Sequence, residues 1–297
     1  MIPICTMTTA FNYCPEGGYI PYHESVVRCH DAGFNVLDVN MCSMINPKAN
    51  YFCREDWEMW LEKMLQAKEE TGITFYQSHP LFRPGAIRSY DDPSQEKYFW
   101  DMYFRGLDIT ARSGAKWAVV HPSNDPTTMD LKTQLEVNHR QFDKVVDYAA
   151  KLGIGIAFEN MVEPPAGGEK PHRFSSYPEE LLELEASYNC DHVKLCWDFG
   201  HGNTAVPDRH ADAIRMLGDK LVCVHIDDNL GKRDDHFVPF RGNIPWAEVM
   251  PVLKEIHFPG VLDLELGLYG KMPNDLKDEA CRFTCSIAKK LQALAEG

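Results

Sequence analysis

Short apolar runs of strand length alternate with longer segments of helical periodicity along the whole chain. The apolar runs cover residues 2–5, 35–41, 73–79, 116–121, 154–159, 193–198, 221–225 and 261–265. The helical segments cover residues 57–68, 98–113, 131–151, 178–187, 211–217, 246–256 and 275–295. Apolar strands separated by amphipathic helices are typical of a parallel sheet whose outer face is covered by helices.

Eight such units in 297 residues predict an α/β fold, a single (β/α)8 TIM barrel that forms one domain over residues 1–297. A doubly wound open sheet is the alternative. Several predicted strands follow a glycine, which can end the preceding helix in the left-handed conformation. These glycines are Gly33, Gly72, Gly114, Gly153 and Gly260.

Composition and charge limit the class of protein. The chain begins without a basic segment followed by an apolar core, and it has no apolar stretch near the ~20 residues of a membrane helix, so we expect a cytoplasmic protein without a membrane partner. The ten cysteines are scattered, which suggests free thiols in a reducing compartment. A net charge of −14 argues against a nucleic-acid groove.

Ligand-type side chains stand at the carboxyl ends of four predicted strands: Glu159, Asp198, His225 and Glu265. In a barrel these ends open onto one mouth, where catalytic residues gather. Burying an unpaired carboxylate at such a position costs roughly several kcal/mol of solvation free energy. A cation bound by several of these side chains would supply the missing partner. The sequence therefore predicts a metal site. Asp38, Asn40, His79 and His121 lie at the ends of other predicted strands.

Five stretches carry a family resemblance: AFEN at 157–160, WDFGH at 197–201, VHIDD at 224–228, DHFVPFRGNIPW at 235–246 and LDLE at 262–265. They resemble, in order, the xylose-isomerase-like TIM barrel superfamily. Within it they are most similar to the sugar phosphate isomerase/epimerase family, which is related to ketose 3-epimerases, inosose dehydratases and AP-endonuclease family 2. His-Pro pairs at 79–80 and 121–122 extend the resemblance to the third and fourth predicted strands.

The resemblance implies a divalent-metal-dependent sugar isomerase or epimerase. It assigns Glu159, Asp198, His225 and Glu265 as ligands of one divalent metal, with manganese favoured over magnesium, cobalt or zinc. Glu159 and Glu265 would be the catalytic acid–base pair, which removes a proton next to a carbonyl through a metal-stabilised enediolate. We expect a sugar or cyclitol substrate, and a homo-oligomer is compatible with the resemblance.

Six further residues are candidates for substrate contacts. They are His201, His121, His79, Arg233, His236 and Trp197. His201 matches a histidine that contacts substrate oxygens in the family. Two positions depart from the ketose 3-epimerase pattern, because Pro165 replaces a second glutamate and no arginine follows His225 at the family's spacing, so Arg233 is the nearest substitute.

Two other reactions stay open on the same scaffold. An inosose-dehydratase-like lyase would share the proton abstraction and then expel a substituent, with His121, His201 or His236 as the acid. A zinc-dependent phosphodiesterase like the AP endonucleases would use the four ligands and His79, His121 and His201, together with the Asp-Asp-His segment at 234–236, to hold three zinc ions. The acidic charge and the sugar-enzyme-like loop at 235–246 favour the isomerase.

Overall fold

A closed barrel of eight parallel strands forms the centre of the molecule. The computed structural model describes residues 1–14, 18–82, 91–165 and 171–297. The barrel strands are β1 (Ile4–Met7), β2 (Val36–Asn40), β3 (Thr74–His79), β4 (Trp117–Val120), β5 (Gly155–Glu159), β6 (Val193–Asp198), β7 (Leu221–Ile226) and β8 (Leu262–Leu264). Each strand pairs in parallel with its neighbours in chain order, and β1 pairs with β8. The predicted (β/α)8 barrel is confirmed, and the open-sheet alternative is wrong.

Helices follow the strands and form the outer layer. They are α1 (Tyr22–Asp31), α2 (Trp57–Thr71), α3 (Pro93–Ser113), α4 (Leu131–Leu152), α5 (Pro178–Tyr188), α6 (Phe199–Ala205), α7 (His210–Leu217), α8 (Trp246–Glu255) and α9 (Asn274–Glu296). The sequence predicted seven of these segments and missed α1 and α6. Within the described parts of the chain, no helix combines the length and apolar character needed to cross a membrane.

The apolar core lies mainly between the barrel and the helices. It contains Leu37, Phe158, Leu195, Val224 and Leu264 from the strands and apolar side chains from most of the helices. A smaller cluster fills the barrel interior and includes Val119, Ala157, Cys196 and Cys223. Because successive side chains of a strand point to opposite faces, β4, β5, β6 and β7 each supply both clusters. Buried free thiols occupy both layers, as the cysteine pattern predicted.

The glycines before the strands act in two ways. Gly72, Gly114 and Gly153 have φ between 73° and 84° and end α2, α3 and α4 in the left-handed conformation, as predicted. Gly260 has no positive φ; instead, an added Cβ would lie 2.3 Å from Phe258 Cζ and 2.5 Å from Val222 O. Close packing, rather than a helix end, therefore requires glycine at 260.

Candidate metal centre

Four ligand-type side chains converge at the carboxyl end of the barrel. Glu159 ends β5, Asp198 ends β6, His225 lies in β7, and Glu265 follows β8 directly. One ligand atom of each lies within 4.8 Å of the corresponding atom of every other. The parallel direction of the strands brings these ends to one mouth, so residues separated by up to 106 positions in sequence become neighbours.

His225 lies between two carboxylates at the centre of this group. Its Nδ1 is 2.9 Å from Glu159 Oε1 and 3.1 Å from Glu265 Oε2. Glu159 and Asp198 are buried, whereas the Glu265 side chain retains 16 % of its exposure. Asn160 fixes the Asp198 backbone, because its Oδ1 accepts from the Asp198 amide at 2.6 Å and its Nδ2 donates to the Asp198 carbonyl.

The donor set fits a divalent cation. Three carboxylates and one imidazole are the ligand types that manganese, magnesium and zinc accept in proteins. Asp198 Oδ2 is buried and has no hydrogen-bond donor among the described residues, while Asp198 Oδ1 accepts from the His201 amide at 2.6 Å. A buried carboxylate oxygen without a donor is a group that a cation would satisfy.

Two more histidines lie on the other side of Glu159. His121 Nε2 is 3.0 Å and His79 Nε2 is 3.5 Å from Glu159 Oε2, and the two Nε2 atoms are 3.0 Å apart. Together with Glu159 they form a second group of metal-binding geometry. The Glu159 carboxylate thus faces donor atoms on both sides.

A third group extends toward the loop after β7. Asp234 lies between two histidines, with Oδ2 at 3.3 Å from His201 Nε2 and Oδ1 at 3.2 Å from His236 Nε2. Asp227 completes a metal-type group with Asp234 and His236, and both of its buried oxygens lack a hydrogen-bond donor among the described residues. The mouth therefore carries three adjacent groups of nitrogen and oxygen donors.

The charges of the central group stabilise one another. Burial by itself would raise the pKa of the Glu159 carboxyl, but His225 and His121 hold that pKa well below its usual range. Burial by itself would lower the pKa of His225, but Glu265 and Glu159 raise that pKa well above its usual range. Glu159 and Glu265, whose pKa is also lowered, thus keep their negative charge and attract cations, whereas burial raises the pKa of the Asp198 carboxyl to about 6.

A further polar layer lies beneath His225, inside the barrel. Asp263 Oδ2 is 4.0 Å from His225 Nε2 and accepts a hydrogen bond from Gln77 Nε2 at 3.1 Å. Asp38 lies in the same group, and burial raises the pKa of its carboxyl to about 6. These carboxylates lie on the far side of the imidazole, where a partner fixes the orientation of a histidine ligand.

The six candidate substrate residues do not all lie at the mouth. His79, His121, His201 and His236 lie at the mouth, as described above. Trp197 does not: it is fully buried, and its indole N–H donates to His210 Nε2 at 2.9 Å in the layer between barrel and helices. This placement corrects the expectation that Trp197 contacts a sugar. Cys196 and Asp198 point inward along β6, so the residue between them points outward.

Arg233 and Glu163 occupy peripheral positions. The Arg233 side chain is 79 % exposed and donates to Asp235 Oδ1 at 2.9 Å. Glu163, the acidic residue near the glutamate position of the epimerase pattern, accepts from the His172 ring at 2.8 Å. Glu163 thus pairs with His172, outside the four-residue centre.

Sequence reasoning missed three charged residues near the mouth. Asp227 lies two residues after His225 of β7, and Asp263 lies in β8, two residues before Glu265. Strand alternation was therefore a usable signal for both. Arg173 interacts electrostatically with Glu159 and Asp234, although it lies in the long connection between β5 and α5. No periodic signal marks a residue in such a connection.

The chain matches the family model described as "Xylose isomerase-like TIM barrel" over residues 26–287. This match covers most of the sequence, so the chain belongs to that family. The family resemblance drawn from the five sequence stretches is confirmed.

One of the relatives bears the name of a sugar epimerase. A D-psicose 3-epimerase from Enterocloster bolteae is 31 % identical over 103 residues, which cover 33 % of this chain and 32 % of that protein. The chain spans about half the length, 50 % and 49 %, of the first curated relatives that it matches, and both of those are uncharacterised proteins.

Solved structures share the fold over nearly the whole chain. A D-psicose 3-epimerase crystallised with D-fructose has a TM-score of 0.73, is 17 % identical and covers 99 % of this chain and 100 % of its own. An IolI protein with a bound zinc atom has a TM-score of 0.72 and is 18 % identical, and the match covers 98 % of this chain and 99 % of that protein. At these identities the likeness establishes the barrel architecture.

Proposed function

We propose that the chain is a divalent-metal-dependent isomerase or epimerase that removes a proton next to the carbonyl group of a sugar or cyclitol. The observation that carries the proposal is the pair of carboxylates on His225, since Glu159 Oε1 and Glu265 Oε2 lie 2.9 and 3.1 Å from its Nδ1. Glu159 ends β5, two strands before β7, and Glu265 follows β8, the next strand after β7. Two carboxylates so placed are suited to take a proton from one face of a substrate and return one to the other.

Each residue of the centre has a defined part in this proposal. Glu159, Asp198, His225 and Glu265 would hold one divalent cation, for which we propose manganese because carboxylates dominate the set. When bound, the cation would polarise the substrate carbonyl and stabilise the negative charge that develops as the proton leaves. Glu159 and Glu265 would accept and donate the proton, and the buried position of Glu159 would exclude water from one side.

The histidines around the centre would orient the substrate. His201 is held by its Nδ1, which lies 2.8 Å from the Asn160 carbonyl, so its Nε2 is directed toward the mouth. His236 is held in the same way by the Glu265 carbonyl at 3.0 Å. His79 and His121 line the side nearest β3 and β4. The relatives named as ketose epimerases support a carbohydrate as the substrate class.

Hydrogen exchange at carbon tests the proposal even while the product is unidentified. Metal-stripped protein reloaded with manganese is incubated in D₂O with a panel of ketoses and keto-cyclitols, and deuterium next to the carbonyl is measured by NMR. Glu265→Gln is expected to slow exchange by roughly 10²–10⁴-fold, because it removes the general base. The control is Glu248→Gln, at an exposed position in α8.

The same spectra identify the reaction, since epimerisation retains every substituent and elimination releases one. If Glu265→Gln exchanges deuterium at the wild-type rate on a turned-over substrate, the assigned mechanism is refuted. Absence of exchange over the whole panel refutes the substrate class.

One observation favours metal-assisted phosphodiester hydrolysis as a second candidate. His79 and His121 approach Glu159 Oε2, and His201 and His236 flank Asp234, so nine donor residues surround three positions when the four central ligands are counted. Elemental analysis decides between the two functions. One metal ion per chain after reconstitution supports the isomerase, whereas two or three tightly held zinc ions support the hydrolase.

A further inference from the structure

Arg173 lies in a segment whose backbone is fixed on both sides. The amide of Phe174 donates to Asn124 Oδ1 at 2.8 Å, and the carbonyl of Ser175 accepts from the Met161 amide at 3.2 Å. Ser175 has φ of +71°, in the left-handed region that non-glycine residues rarely adopt. Such a conformation persists where the surroundings determine it, so this segment has a defined path.

The residue before Arg173 is held just as firmly. His172 Nδ1 is 2.8 Å from Glu163 Oε2, and His172 Nε2 is 2.8 Å from Glu180 Oε1. The ring also stacks on Tyr177, with 5.0 Å between the centroids. Glu180 belongs to α5, so the brace connects the segment to the helix layer. The backbone that carries Arg173 is therefore rigid, as a residue that selects a ligand requires.

The segment that carries Arg173 lies at the rim of the metal centre, because its backbone bonds Asn124, three residues after His121, and Met161, two residues after Glu159. It interacts electrostatically with the carboxylates of Glu159 and Asp234 and with the imidazole of His121. These three groups come from different sides of the mouth. The side chain is half-buried, and within the described ranges 1–14, 18–82, 91–165 and 171–297 nothing accepts a hydrogen bond from it. Its donors are thus available to a molecule in the mouth.

We propose that Arg173 binds an oxyanion carried by the substrate, so that the enzyme acts on an acidic sugar or cyclitol bearing a carboxylate or a phosphate. The inference rests on the proposed function and narrows its substrate class. A guanidinium presents a planar fork of donors that matches the two oxygens of such a group.

Charge favours an anion at Arg173 over a neutral ligand. Glu159 and Asp234 both interact with the guanidinium, and Glu159 would share its negative charge with the proposed metal cation, whereas Asp234 is not among the four proposed ligands. Because no described residue accepts a hydrogen bond from the guanidinium, a substrate carboxylate or phosphate would supply both acceptor oxygens and a negative charge. A hydroxyl group would supply only an acceptor.

Calorimetric titration of manganese-loaded protein with three matched ketoses tests the proposal. D-Fructose is neutral, D-fructuronate carries a carboxylate at the terminal carbon, and D-fructose 6-phosphate carries a phosphate there. The wild type is expected to bind at least one charged ketose roughly ten- to hundredfold more tightly than D-fructose, which is the range for a hydrogen-bonded charged pair. The better of the two charged ketoses identifies the substituent.

Two variants and a control separate recognition from folding. Arg173→Gln is expected to remove the preference for the charged ketose, and Arg173→Lys, which keeps the charge but loses the fork, to retain part of it. Arg215→Gln is the matched control, since that arginine belongs to the helix layer, is 45 % exposed and is paired with Glu255. It is expected to bind like the wild type.

The proposal is overturned if the wild type binds neither charged ketose more tightly than D-fructose, or if Arg173→Gln keeps the preference. Deuterium exchange is measured separately. A binding preference without exchange on any ketose refutes the proposed function, whereas exchange without the preference refutes only the role of Arg173.

Discussion

His210 and Trp197 form a buried pair in the layer between β6 and the helices. The indole N–H donates to His210 Nε2, so the imidazole accepts with a nitrogen that carries no proton. Burial lowers the pKa of His210 to about 3. An unfolded histidine titrates near pKa ~6.5. Below that pH, His210 binds a proton in the unfolded chain but not in the folded chain. The free energy of unfolding therefore falls as the pH falls from about 6.5 toward 3.

Replacing His210 with glutamine tests this acid sensitivity. Glutamine still offers an oxygen to the indole but has no proton to gain. The free energy of unfolding of the wild type is expected to fall by about 2 kcal/mol more than that of His210→Gln between pH 6.5 and 4.5, given about 1.4 kcal/mol per pH unit for one proton. Urea unfolding at a series of pH values measures the difference.

His30→Gln is the control, because the His30 side chain is 41 % exposed. Its unfolding free energy is expected to follow the wild type over the same range. Parallel pH profiles for the wild type and His210→Gln would contradict the neutral, buried state of His210.

The residues of the site differ in how far the sequence reveals them. Glu159, Asp198, His225 and Glu265 each end an apolar run, and the barrel geometry brings such ends together. Arg173 approaches the same centre through a connection fixed by tertiary hydrogen bonds, and a one-dimensional pattern carries no information about those contacts.

Asp228 organises the loop that follows β7. Its carboxylate accepts from the amides of Phe240 and Gly242 at 2.9 and 3.0 Å, and from the indole N–H of Trp246 at 3.1 Å. Phe240 has φ of +74°, an unfavourable conformation for a non-glycine residue. One buried carboxylate thus holds a strained loop at the mouth of the barrel.

Asp228→Ala removes the acceptor and leaves several buried donors without a partner. We expect a loss of about 3 kcal/mol in the free energy of unfolding, since hydrogen bonds to a charged group contribute about 1.5–3 kcal/mol each. Faster amide hydrogen exchange is expected over residues 237–246. Urea titration and exchange measured by mass spectrometry report the two effects.

Asp212→Ala is the matched control, because Asp212 is 74 % exposed and forms a surface ion pair with Arg215. A loss below about 1 kcal/mol is expected there. Equal losses in the two variants would show that Asp228 does not organise the loop.

Two helices were missed because their local sequences are weak. α6 has two glycines among its seven residues, and glycine is a poor helix former. It forms at the end of β6, where Asp198 Oδ1 accepts from the His201 amide as an N-cap. α1 begins after Pro21 without a side-chain cap and contains two valines, a cysteine and two histidines. Packing on the barrel stabilises both helices. Sequence periodicity reveals such packing only in longer segments.

The last helix helps to close the whole barrel. β1 pairs with β8, and α9 holds the chain just before β1: the Ile2 amide donates to Glu296 Oε1 at 3.0 Å, and Gln292 Nε2 donates to the Ile2 carbonyl at 2.7 Å. The mouth is built from strands distributed around this closed ring, so its geometry depends on the complete fold. Ligand binding at the mouth is therefore coupled to global stability.

Manganese is expected to raise the melting temperature of the stripped protein. At a concentration 100-fold above the dissociation constant, binding adds about 2.7 kcal/mol, which corresponds to roughly 4 °C for a chain of this length. Differential scanning calorimetry with and without manganese, and again after EDTA, measures the shift.

Asp198→Asn is expected to shrink the shift, because Asp198 belongs to the central donor group. Glu248→Gln, at an exposed position, is expected to keep it. If neither manganese nor EDTA changes the melting temperature of the wild type, the protein has no site that binds manganese at the concentrations tested.

Five imidazoles line the mouth: His79, His121, His201, His225 and His236. The proposed manganese centre uses one of them, His225, together with three carboxylates, whereas the other four imidazoles are ligands that zinc, nickel and copper bind more strongly than manganese or magnesium, in the Irving–Williams order. The ion bound by the proposed enzyme would then depend on which metals are available as well as on the four central ligands. A change in zinc supply would replace that ion and alter the proposed activity without any change in the sequence.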